Sequence, residues 1–231
     1  MVGKKENYFF DPNKLPRGER EYYDKISPII EGLLNDLESQ DWLRKASVEE
    51  IIQFIGIMKD KSEIALAHNR LTEIFDNPER LSFFLKNNRE YFTDQQFSYL
   101  FMSQLYFLFL VYVEMFRSFL LFYLKRGPGF IFKDRMTLGP FLAALKKCSP
   151  KYGEQLEKEM ALNLRNAFAH GLFQIGMHER EPALMCYRDL GELNRPIPFP
   201  LSKLLIIWKN HNILYMTLGQ SMAKKMDAHH G

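Results

Sequence analysis

The sequence predicts an all-α protein, a helical bundle with an N-terminal helical extension, and three observations carry that expectation. Apolar residues recur at three- and four-residue spacing along most of the chain, which is the period of one helix face. Two capping-box patterns, Ser47-Val-Glu-Glu50 and Thr93-Asp-Gln-Gln96, mark helix starts. In each, a hydroxyl side chain and a Glu or Gln three residues on satisfy each other's free backbone N–H groups. Only the stretch 183–199 is compatible with strands, as one small β-hairpin.

Residues 1–16 carry Pro12 and Pro16 and little periodicity, so they read as an arm. Residues 19–39 place Ile26, Ile29, Ile30, Leu33, Leu34 and Leu37 on one helix face, with Pro28 as a candidate kink. Ser47 opens a helix carrying Ile51, Ile52, Ile55 and Met58, which runs toward Phe75 and stops at Asn77-Pro78. A short helix over 79–88 follows. Thr93 opens a long helix toward Leu124 that is apolar on most sides, as suits the middle of a bundle. Its uninterrupted apolar run, Leu105 to Val113, is about half the roughly 20 residues that span a bilayer, so a core helix is expected and no membrane partner.

Residues 125–135 form a cation-rich loop. Thr137 to Lys147 is a helix with Pro140 in its first turn, where proline is tolerated, and Ser149-Pro150 ends it. Gly153 to His170 reads as one helix capped by Gly171. Ala183 to Tyr187 has strand character, Arg195 to Pro200 reads as a loop, and 202–226 is a final amphipathic helix. The organisation expected is an N-terminal helical region over 1–90 and the bundle over 91–231.

Composition narrows the function classes. Apolar residues make up 46% of 231, which supports a sizeable core and excludes a disordered chain. A net charge of +3 permits a nucleic-acid partner without requiring one. The two cysteines, Cys148 and Cys186, have no metal or disulfide spacing, so a reducing, cytoplasmic setting is expected. The opening Met-Val-Gly-Lys-Lys-Glu has no apolar stretch of the kind a signal peptide needs. His68, His178, His211, His229 and His230 show no ligand spacing, and no phosphate-loop, dinucleotide or nucleophile-elbow motif occurs. No metal and no cofactor are expected.

The chemistry lies in Asn163-Leu-Arg-Asn-Ala-Phe-Ala-His170-Gly171. On a helical wheel, Leu156, Met160, Leu164, Ala167 and Phe168 form the core face. Glu159, Asn163, Asn166 and His170 form a polar stripe within roughly 40° of His170. Arg165 lies about 140° away with an axial rise of about 7.5 Å, and the small Ala169 sits on the arc between the two. A guanidinium offers a planar fork to phosphate oxygens, and an imidazole moves a proton near neutral pH. Together they suit cleavage of an RNA phosphodiester, where the substrate's own 2′-hydroxyl attacks and neither a metal nor a protein nucleophile is required. A surface Arg beside a helix-terminal His that caps carbonyls is the plainer alternative. A non-catalytic helical adaptor or nucleic-acid-binding module is another.

Arg165-Asn-Ala-Phe-Ala-His170 matches the Arg-x4-His motif of the HEPN superfamily, including a polar residue directly after the Arg. Over about residues 95–225 the chain resembles the HEPN proteins of prokaryotic defence and abortive-infection systems. The resemblance implies a helical bundle, a homodimer with the motif at its interface, and metal-independent endoribonuclease activity. It makes Arg165 and His170 catalytic and Asn166 supporting, and it admits a protein antitoxin or regulator as partner. Members that work with a nucleotidyltransferase antitoxin often carry Tyr two positions after the His, where this chain has Leu172.

Two further sets have two readings each. Glu114 either pairs with Arg117 at i, i+3 or orients Arg165. Lys125, Arg126, Lys133, Arg135, Lys146, Lys147 and Lys151 are either a solvated face or a path for RNA phosphates.

Overall fold

The computed structural model describes residues 11–88 and 94–228. Over these the chain is mostly helical, with one small antiparallel sheet of three strands. The helices are α1 (Arg17–Ser39), α2 (Val48–Asp76), α3 (Pro78–Asn88), α4 (Asp94–Phe122), α5 (Leu138–Cys148), α6 (Pro150–Glu159), α7 (Leu162–Ala169) and α8 (Leu201–Ala228). The strands are β1 (Phe173–His178), β2 (Glu181–Cys186) and β3 (Ile197–Pro200), paired in the order β1-β2-β3. Thr93, the boundary at 90/91 and the pair His229-His230 lie outside the described residues.

The local signals act as chemistry requires. The Ser47 N–H donates to Glu50 Oε2 at 2.9 Å, and the Glu50 N–H donates to Ser47 Oγ at 3.2 Å, which closes the capping box of α2. Asn77 Oδ1 accepts from the N–H groups of Glu79 and Arg80, so one residue separates α2 from α3 and caps the second. Pro140 sits in the first turn of α5, and Pro150 opens α6 after Ser149.

Two expectations are corrected. The single helix expected over Gly153 to His170 is two helices, because Ala161 adopts a left-handed conformation (φ +43°, ψ 47°) and breaks the ladder between α6 and α7. The small hairpin expected at 183–199 is one half of a three-stranded sheet. It is the β2–β3 pairing, from Ala183 opposite Pro200 to Cys186 opposite Ile197, and β1 adds a strand before it. Residues 197–200, read as loop, tolerate Pro198 and Pro200 because β3 is an edge strand, where a missing donor need not interrupt a ladder.

The chain divides into two compact units, residues 1–51, 113–160 and 209–231, and residues 52–112 and 161–208. In the first unit, α1 packs on α6 and α6 on α5. Ile26, Ile30, Leu33, Leu34 and Leu37 supply the fully buried face of α1, and Phe116, Phe132, Phe141 and Leu145 add bulk from other elements. Gly32 leaves the room that the Tyr152 ring occupies. Ser149 Oγ donates to Asp36 Oδ2 at 2.6 Å, and Gln40 Nε2 donates to the Cys148 carbonyl at 2.6 Å, so the α5–α6 corner is held to α1 by polar bonds as well.

In the second unit, α7 packs on β2, whose Ala183, Leu184 and Cys186 are buried. Met102, Leu105, Leu108 and Phe109 are the buried face of this part of α4. Asn69 connects three helices: Trp208 Nε1 donates to its Oδ1 at 3.1 Å, and its Nδ2 donates to the Tyr112 hydroxyl at 2.6 Å. His68 and Gln104 also hydrogen bond. Glu181 of β2 caps α8, accepting from the Ser202 N–H at 2.6 Å and from Ser202 Oγ at 3.0 Å. A carboxylate at that end also complements the helix dipole. The segment Tyr99–Phe122 of α4 is long and apolar enough to cross a membrane, and 56% of its most apolar window is buried.

Gly153→Ala is expected to destabilise the chain by about 1–3 kcal/mol, read as a lower thermal midpoint by circular dichroism. A β-carbon there meets the backbone of Lys146 at 2.8 Å, which no side-chain rotation relieves. The two thiols give a second expectation. Burial pushes Cys186 up to about 12 and raises Cys148, which leaves little thiolate near neutral pH. Both cysteines should resist alkylation in the native chain and react promptly in denaturant. Fast labelling of either without denaturant would contradict the packing.

Candidate functional site

The site is built on α7, a helix of eight residues closed at both ends by left-handed backbone. Its first bond runs from the Arg165 N–H to the Ala161 carbonyl at 3.2 Å. At its end, Gly171 (φ +67°) donates to the Phe168 carbonyl at 3.2 Å, and Leu172 donates to the Ala167 carbonyl at 2.6 Å. That pair of bonds is a Schellman motif, which satisfies two carbonyls the helix would otherwise leave free. Glycine suits the position because it has no β-carbon to clash in that conformation.

Within α7 the wheel holds. Leu164 and Ala167 face inward, and Asn163, Asn166, Ala169 and His170 are exposed. Glu159, expected on the same stripe, lies beyond the break at Ala161 and pairs with Lys25 at 2.5 Å in the first unit. The stripe therefore begins at Asn163.

Arg165 is half-buried, with its Nε shielded from solvent. Its Nη1 donates to Asn166 Oδ1 at 3.3 Å, which turns the guanidinium toward the exposed side of the helix. His170 follows as the C-cap, with its N–H on the Asn166 carbonyl at 3.1 Å and its imidazole end exposed. Tyr106 of α4 neighbours the Arg. Burial raises its phenol above the usual range, and the Arg165 charge opposes that rise without reversing it, so the hydroxyl stays neutral.

The other residues singled out from sequence sit in the first unit. The Glu114 carboxylate binds Arg117, with Oε2 at 2.8 Å from Nε, and Arg117 also donates to the Met136 carbonyl at 2.7 Å. Lys125 pairs with Asp41 at 2.5 Å, Arg126 with Asp134 at 2.9 Å, and Lys146 with Glu157 at 2.7 Å. Lys133 donates to the Gly127 carbonyl at 3.3 Å, and Lys151 lies over the Tyr152 ring. Arg135 and Lys147 are exposed. A cavity of about 450 Å³ in the same unit, lined by Leu43, Arg44, Val48, Tyr123 and Met222 among others, contains no residue of the motif. Among the described residues no group of three His, Cys, Asp or Glu stands together as a metal site.

Sequence reasoning missed an aromatic ladder at α7. Tyr106 stacks on Phe168 with ring planes 12° apart, and Phe168 stacks on Phe173 with centroids 4.1 Å apart and planes at 15°. The wheel placed Phe168 on the core face, whereas it is half-buried between the other two rings. The available signal was the pair Phe168 and Phe173 astride Gly171. A Schellman turn reverses the chain there and brings the second ring back onto the first.

No protein-family model, no curated protein and no solved structure matches this chain.

Gly171→Ala is expected to cost about 1–2 kcal/mol in denaturant unfolding, because a β-carbon is strained in the left-handed region even where space is open. Gly171→Asn should lose less, since Asn is the other residue that commonly takes this position. Equal stability of the Ala and Asn forms with the parent would mean that α7 does not end in the turn described.

Proposed function

We propose that the chain is a metal-independent endoribonuclease of HEPN type. The observation that carries the reading is the Arg165–Asn166 hydrogen bond, which ties the guanidinium to an exposed residue one turn before His170. Arg165 holds the scissile phosphate and stabilises the charge that builds on its oxygens. Asn166 steadies Arg165. The RNA 2′-hydroxyl attacks its own phosphorus, and the bond to the 5′-oxygen breaks. A proton leaves the 2′-oxygen and another reaches the leaving oxygen, and His170 handles one of the two transfers. The products are a 2′,3′-cyclic phosphate and a 5′-hydroxyl, so the step is balanced without a cofactor.

A homodimer belongs to this proposal, since a two-fold axis at α7 would bring two Arg–His pairs together. A cytoplasmic role in defence, held in check by a protein antitoxin or regulator, is part of it as well. The reading as a non-catalytic adaptor has one observation in its favour. Val48, Ile52, Ile55, Ile57 and Ile64 of α2 are exposed by 47–68%, which suits a protein partner.

The purified chain should cut single-stranded RNA with EDTA present and leave cyclic-phosphate ends. His170→Ala should lower the rate by at least about a hundredfold, the lower range of general acid–base contributions. Arg165→Ala should do the same, and Arg165→Lys should rescue little, because an ammonium lacks the planar fork. Cutting that persists in both alanine variants would place the activity elsewhere. A chain that cuts nothing, and that is no more toxic to cells than the double variant, would favour the adaptor.

A further inference from the structure

We propose that the exposed ring of Phe173 is a stacking platform for one unpaired nucleobase beside the Arg165–His170 site. The inference rests on the ribonuclease reading and adds a base-binding subsite to it.

Three observations converge on this face. The first is geometry. Tyr106, Phe168 and Phe173 form a ladder with successive planes only 12° and 15° apart. Aromatic side chains commonly meet edge-to-face or offset. Three near-parallel rings in series belong to the stacked class, the arrangement that successive bases also adopt. The second is exposure. Phe168 covers one face of Phe173, yet the residue remains 37% exposed and has no second ring contact among the described residues. The ladder therefore ends on a ring that is partly open to solvent. The third is position. Arg165 neighbours Tyr106 at the inner end, and Phe173 follows His170 across the Schellman turn at the outer end. Phe173 lies three residues after His170 and eight after Arg165, so the ring and the motif are set by the same helix and turn.

The chemistry selects the occupant. A base inside a duplex has both faces covered by its neighbours, so it cannot stack on a side chain without leaving the helix. A single strand offers a free face on every base, and every base has one, so the platform selects for strandedness and not for sequence. Loss of one base–aromatic stack weakens binding roughly 5- to 150-fold.

The test uses the full chain carrying His170→Ala, which removes cutting, and a short single-stranded RNA with one 2-aminopurine, whose fluorescence falls on stacking. The expected result is tight binding with quenching, a loss of affinity of about fivefold or more in Phe173→Ala, and retention of both signals in Phe173→Trp. Phe173→Leu keeps the apolar bulk without the π-face and should lose the quenching, which guards against an alanine variant that fails to fold. A fully paired duplex should not compete. Unchanged affinity and quenching in Phe173→Leu would overturn the platform, as would a loss of binding that tracks a change in oligomeric state. Cleavage by the unsubstituted chain is measured alongside. If it cuts RNA and the Phe173 variants bind and cut equally well, only the platform falls. If it cuts nothing but Phe173-dependent quenching persists, catalysis falls and the platform stands.

Discussion

The site depends on a backbone constraint at the two ends of α7. Ala161 and Gly171 both hold the left-handed conformation, and between them only eight residues are helical. For Gly171 the conformation is nearly free, whereas for Ala161 the β-carbon costs on the order of 1 kcal/mol. The first break ends the ladder of α6, so the direction of α7 is set independently of the helix before it. The second turns the chain back so that β1 begins beside the helix it has just left. Asn166 and His170 share an exposed face, and Arg165 reaches it through its hydrogen bond to Asn166, because these two turns determine which way α7 lies.

Much of the fold is legible in the sequence, and the exceptions have physical causes. Capping boxes and prolines mark the helix starts because they act through neighbouring backbone groups. Ser47 with Glu50 and Asn77 before Pro78 need no tertiary context to be read. The break at Ala161 gives no such sign, since alanine is the strongest helix former and Met160-Ala161-Leu162 continues the apolar pattern. Strand β1 escapes notice for a similar reason. Its hairpin to β2 turns through Glu179 and Arg180, both at positive φ, where Asn-Gly or Asp-Gly would have announced it. Within α7 the assignment of inward and outward residues survives because a wheel needs only local periodicity. The ladder of Tyr106, Phe168 and Phe173 joins α4, α7 and β1, and no local rule reaches that far.

Charge is distributed unevenly between the motif and the cations noted from sequence. Lys125, Arg126 and Lys146 already face carboxylates, as Arg117 faces Glu114, so their charge is spent within the first unit. Exposed pairs of this kind contribute about 1 kcal/mol or less each and exchange readily with a polyanion. Arg165 differs in being partly shielded and held by a neutral amide, and beside it lies a phenol that burial keeps protonated.

Eight residues make about two turns, far short of the 12–15 that a helix needs to persist alone in water. The order of α7 is therefore borrowed from β2 beneath it, and β2 emerges from the ribosome later than the motif does. A nascent chain that has exposed His170 but not yet Cys186 holds the reactive side chains on an unformed segment. The same dependence reaches β3 and α8, because Glu181 ties the sheet to the start of the last helix. Whatever chemistry the face performs, the chain must be made at least through β2 before that face can form.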